Sequence, residues 1–125
     1  MSGATRVLLV DDDASVLELT GELLAMVGFD VIPERSGRAA LERLLAGETF
    51  GALVTDHSMP EMTGEELILR VHRLAPELPC LLVTGHGENV ELSPGVALLR
   101  KPFRASQLAA VLERLLAQPR PDRQR

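Results

Sequence analysis

Short apolar runs alternate along the chain with segments whose apolar residues recur every three or four positions. Five runs have strand character: "RVLLV", "DVIP", "ALVT", "CLLVT" and "VALLR". Between them the spacing predicts helices. The first follows an aspartate cluster, with Val16, Leu19, Leu23 and Val27 on one face and Gly28 placed to end it. A second begins near Ser36, turns Ala40, Leu41, Leu44 and Leu45 inward and stops at Gly47. A third opens on Thr63 with Glu66 three residues on, the pair that makes a capping box; it continues through Leu67, Ile68 and Val71 and closes before Pro76. The last runs from about Ser106 through Leu108, Val111, Leu112, Leu115 and Leu116, ending near Pro119. This alternation of strands and helices is the signature of an α/β fold, a doubly wound parallel sheet with helices on both faces.

One interval breaks the rhythm. "GHGENVELSPGV", between the fourth and fifth runs, holds three glycines and a proline and too few apolar residues for a full amphipathic helix. A loop with at most one helical turn is expected there. Residues 119–125 are polar, basic and broken by proline, and are expected to be a frayed tail or linker stub after a domain spanning 1–118.

Composition narrows the function classes. A chain of 125 residues with 46% hydrophobic content is the size of one domain with one core. Thirteen Lys and Arg against 18 Asp and Glu give a net charge of -5, which argues against a nucleic-acid surface spread over the whole domain. Cys80 is the single cysteine, so no internal disulfide can form, and a reducing, cytoplasmic location is expected. No apolar run approaches the roughly 20 residues that span a bilayer, so no membrane partner is expected.

The candidate chemistry follows from where the strands end. In an open parallel sheet the carboxyl ends of the strands share one edge, and ligands bind there. The first strand ends in Asp11, Asp12 and Asp13, the third in Asp56, the fourth in Thr84 and Gly85, and the fifth in Lys101 and Pro102. Singly, these residues are ordinary: Asp13 fits an N-cap, Thr84 a β-branched strand residue, Lys101 a surface lysine. Together they bring acids, a hydroxyl and an ammonium to one edge. Clustered carboxylates repel unless a hard cation neutralises them, and Mg²⁺ suits an all-oxygen set that leaves room for water and a phosphate oxygen. A carboxylate in such a phosphoryl site can itself act as a nucleophile toward phosphorus.

These segments resemble the receiver domain of two-component response regulators from Val7 to Leu116. "VLLVDDD" is similar to the family's acidic-pair strand, "TDHSMPEMTG" to its D-x-x-M-P-x-M-x-G phosphoacceptor segment, and "LLVTG" and "LLRKPF" to its threonine and Lys-Pro segments. The resemblance implies a flavodoxin-like strand order 2-1-3-4-5 and a signalling phosphoacceptor rather than an enzyme. It makes Asp56 the phosphate acceptor, Asp12 a direct Mg²⁺ ligand, Asp11 its neighbour acting mainly through water, and the backbone carbonyl of Ser58 a further ligand. Thr84 would contact the phosphoryl group, Lys101 would pair with it across a cis Lys-Pro bond, and Gly85 would leave it room. Ser58 and His86 would flank that space. The implied partner is a sensor histidine kinase or a histidine phosphotransfer protein.

Two features depart from the family pattern. Leu98 stands where an aromatic residue is usual, and the segment from Thr84 to Lys101 is short, so the helix between the fourth and fifth strands is expected to be abbreviated or missing. These departures leave the oligomeric state open. They also keep in view an interaction module that works without phosphorylation, and, separately, "VLLVDDDAS" with Thr84 and Lys101 nearly satisfies the D-x-D pattern of a phosphohydrolase of the haloacid dehalogenase type. The latter would need acidic ligands beyond Lys101, where only Glu113 and Asp122 follow.

Overall fold

The computed structural model describes residues 4–85 and 95–117. Strands β1 (Arg6–Val10), β2 (Asp30–Glu34), β3 (Ala52–Asp56), β4 (Cys80–Thr84) and β5 (Val96–Arg100) form one parallel sheet in the order β2-β1-β3-β4-β5. Helices α1 (Ala14–Met26), α2 (Gly37–Leu45), α3 (Gly64–Leu74) and α4 (Ala105–Ala117) cover it. The flavodoxin-like order expected from the family resemblance is the one observed. The 86–95 interval, where an abbreviated or missing helix is expected, lies almost wholly outside the described residues, as do Pro119 and residues 119–125.

Side-chain alternation along the strands builds two cores. Val7, Leu9, Val54, Leu81 and Val83 face α1 and α4, meeting Leu17, Leu24, Leu108 and Leu112. Leu8, Val10, Leu53 and Leu82 face α2 and α3, meeting Ala40, Leu67, Ile68 and Val71. A strand apolar at successive positions can serve both faces, which is why the central strands β3 and β4 are buried throughout. β2 and β5 lie at the sheet's edges and are partly exposed. Pro33 is tolerated in β2 because the strand has a partner on one side only.

The helix starts follow local chemistry. Asp13 caps α1 by accepting from the backbone N–H of Ser15 and Val16, as its place after the strand predicts. Ser36 caps α2, and Thr63 with Glu66 forms the complete capping box of α3. Gly28 follows α1 with φ +102°, a left-handed conformation that glycine adopts without a Cβ penalty. Glu61 takes φ 72° within the β3–α3 loop, where Met62 N–H donates to Pro60 O at 2.7 Å.

Two faces differ from the periodicity. In α1 the buried residues are Leu17, Thr20 and Leu24, whereas Leu19 and Val27, expected inward, are exposed. Both registers recur at helical spacing; the sheet selects the one whose branched side chains meet Leu9 and Val7, and leaves Leu19 in solvent. In α2 Ala40 is buried and Leu41 and Leu44 pack against the core, but Leu45, in the final turn, is exposed. The third and last helices bury Leu67, Ile68, Val71, Leu108, Leu112 and Leu115 as the spacing predicts.

Candidate functional site

Parallel pairing aligns the carboxyl ends of β1, β3, β4 and β5, and the residues just past them converge. Asp11 and Asp56 are buried and Asp12 half-buried, and a carboxylate oxygen from each lies within 4.8 Å of the others. The β1–α1 turn is held by its own polar groups. Asp11 N–H donates to Glu34 O at 3.2 Å, and the Asp11 carboxylate accepts from Asp13 N–H at 2.9 Å. Burial pushes the Asp11 carboxyl above the ordinary carboxylate range. The Asp13 amide and the Lys101 charge oppose that rise; the nearby charges of Asp56 and Asp12 add to it.

Lys101 reaches this acid trio from the far side of β4. Its backbone N–H donates to Thr84 O at 2.8 Å, which continues the β4–β5 pairing past the strand end. Its Nζ then lies 2.8 Å from Asp56 Oδ1. The Lys101–Pro102 bond is cis, as the family resemblance implies. Thr84 is buried at the same edge, and its Oγ1 has no hydrogen-bond partner among the described residues. A hydroxyl kept dry and unpaired costs stability unless a ligand supplies the missing partner. Gly85, half-buried, follows it.

Asp56 is seated by its neighbours. His57 N–H donates to Val83 O at 2.8 Å, Thr55 Oγ1 donates to Asp56 O at 3.0 Å, and Gly64 N–H donates to His57 O at 2.9 Å. A Cβ built on Gly64 would overlap the backbone carbonyl of Asp56 and come within 2.7 Å of Leu82 Cδ1, so the start of α3 lies directly against the end of β3.

The structure thus brings Asp11, Asp12, Asp56, Thr84 and Lys101 to one place. Ser58 lies exposed in the loop two residues after Asp56, and His86 falls outside the described residues. Glu113, considered for a hydrolase, lies exposed on α4, and Asp122 is outside the described residues. Two residues that the sequence reading passed over border the site. The buried Nδ1 of His57 has no hydrogen-bond partner among the described residues, and Arg35 donates to the backbone carbonyl of Asp12 at 3.1 Å. Position beside Asp56 could have flagged His57; nothing in the pattern singles out Arg35. The trio offers oxygen donors and surplus negative charge in a protected setting, and so fits a hard divalent cation.

Comparison with known proteins agrees with this geometry. Residues 7–113 match the family described as the response regulator receiver domain. The chain is 34% identical over 117 residues to the response regulator receiver protein CpdR of Brucella abortus, covering 89% of this chain and 96% of that protein. It is 33% identical over 127 residues to the transcriptional regulatory protein FixJ of Bradyrhizobium diazoefficiens, covering 97% of this chain and 61% of FixJ. It spans 50% of another curated relative and 24% of each of two more. A response regulator receiver protein from Sinorhizobium medicae superposes with a TM-score of 0.81 at 29% identity, covering 90% of this chain and 94% of that one. No helix among the described residues is long and apolar enough to cross a membrane. With residues 7–113 matching its family model, the chain belongs to the response regulator receiver domain family.

Proposed function

We propose that Asp56 accepts a phosphoryl group and that Asp11, Asp12, Asp56 and the Ser58 backbone carbonyl hold the Mg²⁺ that supports the transfer. The observation that carries this reading is the convergence of three carboxylates, a buried hydroxyl with no partner among the described residues, and an ammonium at one sheet edge. Bound Mg²⁺ supplies charge screening, so that an anionic donor can approach the acidic pocket. A carboxylate oxygen of Asp56 attacks phosphorus; the new O–P bond forms as the bond to the donor's leaving group breaks, and that electron pair departs with the leaving group. Lys101 holds the Asp56 carboxylate in place beforehand and offers its ammonium to the phosphoryl oxygens afterwards. Thr84 Oγ1, buried and with no partner among the described residues, donates to one of those oxygens. The added charge draws Thr84 and Lys101 toward it, and the ends of β4 and β5 shift with them.

The donor in this reading is a sensor histidine kinase or a histidine phosphotransfer protein, and the location is the cytoplasm. Intact-mass spectrometry after incubation with acetyl phosphate and Mg²⁺ tests it. Wild type gains the mass of one phosphoryl group, and Asp56→Asn gains none. Labelling of Asp56→Asn would overturn the assignment, and repeated turnover of a phosphate monoester would favour the hydrolase.

A further inference from the structure

We propose that Arg35 is a positioning residue for the cation site: its guanidinium pins the Asp12–Asp13 peptide group, fixing the backbone from which the Asp12 carboxylate reaches its like-charged neighbours before a cation arrives. The inference rests on the Mg²⁺ reading above and concerns a residue outside the acid trio.

The peptide plane between Asp12 and Asp13 is held at both ends. Its N–H, on Asp13, donates to Asp11 Oδ1 at 2.9 Å, and its carbonyl oxygen, on Asp12, accepts from Arg35 Nη2 at 3.1 Å. These two holds are not equivalent. The first uses an oxygen of Asp11, a carboxylate that the cation also needs, whereas the second uses no ligand oxygen. Arg35 can therefore keep the plane in place while the Asp11 carboxylate turns to its other task.

The Arg35 side chain is exposed, but its backbone is anchored on both sides. It lies between Glu34, whose backbone pairs with β1 and whose carbonyl accepts from Asp11 N–H at 3.2 Å, and Ser36, the N-cap of α2. The Glu34 carboxylate is engaged by Arg43, so it does not draw the Arg35 guanidinium away. The β2–α2 corner thus splints the acidic turn through two residues. The need for a splint is electrostatic. Without a cation, three carboxylates with oxygens within 4.8 Å repel one another, and Asp12, the least buried of them, has the most room to swing outward. Holding ligands near their bound geometry raises affinity by lowering the ordering cost at binding.

Isothermal calorimetry with Mg²⁺ alone, on wild type, Arg35→Met and Arg35→Lys, tests the proposal alongside metal-free thermal melting of each. Removing a cation from the rim should by charge alone tighten Mg²⁺ binding, so the positioning role predicts the opposite sign. Arg35→Met binds Mg²⁺ about fivefold more weakly, the worth of about one hydrogen bond. Its metal-free melting temperature stays that of wild type, and Arg35→Lys, which keeps charge and a donor, recovers part of the loss. Unchanged or tighter binding by Arg35→Met, a matching fall in metal-free melting, or a lysine variant as weak as the methionine one overturns the proposal. A wild-type protein that does not bind Mg²⁺ instead overturns the metal reading on which it rests.

Discussion

Lys101 Nζ and Asp56 Oδ1 lie 2.8 Å apart although their strands are not neighbours, with β4 running between β3 and β5. The span is made in two steps, a backbone bond from Lys101 N–H to Thr84 O and then a side chain laid across the end of β4. Asp56 is thereby tied to the strand end where Thr84 sits.

Replacing Lys101 with methionine should destabilise the metal-free protein by about 1 kcal/mol, a modest figure because the lysine side chain is 38% exposed. The cost arises because Asp56 is left facing Asp11 and Asp12 without its partner. Added Mg²⁺ should restore most of the loss. Urea denaturation followed by circular dichroism, with and without Mg²⁺, measures both; a deficit indifferent to the metal would place the lysine's contribution elsewhere.

Gly64→Ala should cost about 1–3 kcal/mol or more, as overpacking against backbone does. The added methyl group would have to displace the carbonyl of Asp56 or the side chain of Leu82. Because the peptide of Asp56 must move, Mg²⁺ affinity should fall with stability. A variant stable and unaltered in metal binding would show that α3 can retreat from β3 freely.

The two registers of α1 separate under mutation. Leu24, fully buried, should cost about 2–5 kcal/mol as Leu24→Ala. Leu19, 59% exposed, should change stability by less than about 0.5 kcal/mol as Leu19→Gln. Equal losses in chemical denaturation would return Leu19 to the core.

Burial pushes the Cys80 thiol up to about 12 from its ordinary 9.0. The folded state therefore keeps its proton at a pH where the unfolded chain has lost it. That contribution is fully present below the unfolded value and is lost as pH climbs from there through the folded one, with a slope of at most about 1.4 kcal/mol per pH unit. Relative to Cys80→Ala, wild type should lose more stability between about pH 8 and about pH 10.5. Below that window native Cys80 should resist thiol reagents and react only on unfolding.

The sequence alone was enough for the alternation of elements, all five strands, the capping residues and the composition of the acid trio. These are local matters: a strand's apolar run, a cap three residues from its partner and a carboxylate at a strand end are each dictated by near neighbours. The strand order 2-1-3-4-5 came from resemblance to a family, and the described residues bear it out. Tertiary structure decided what depends on distant chain segments. It chose Leu17, Thr20 and Leu24 over Leu19 and Val27 as the inward face of α1, because an amphipathic helix with apolar residues on more than one side takes its orientation from the sheet beneath it. It also fixed the contact of Lys101 Nζ with Asp56 Oδ1 across β4, left Thr84 Oγ1 without a partner among the described residues, and set Arg35 against Asp12. No residue's type or spacing encodes such meetings, since a side chain's partner across a sheet is fixed by strand order and register rather than by sequence separation.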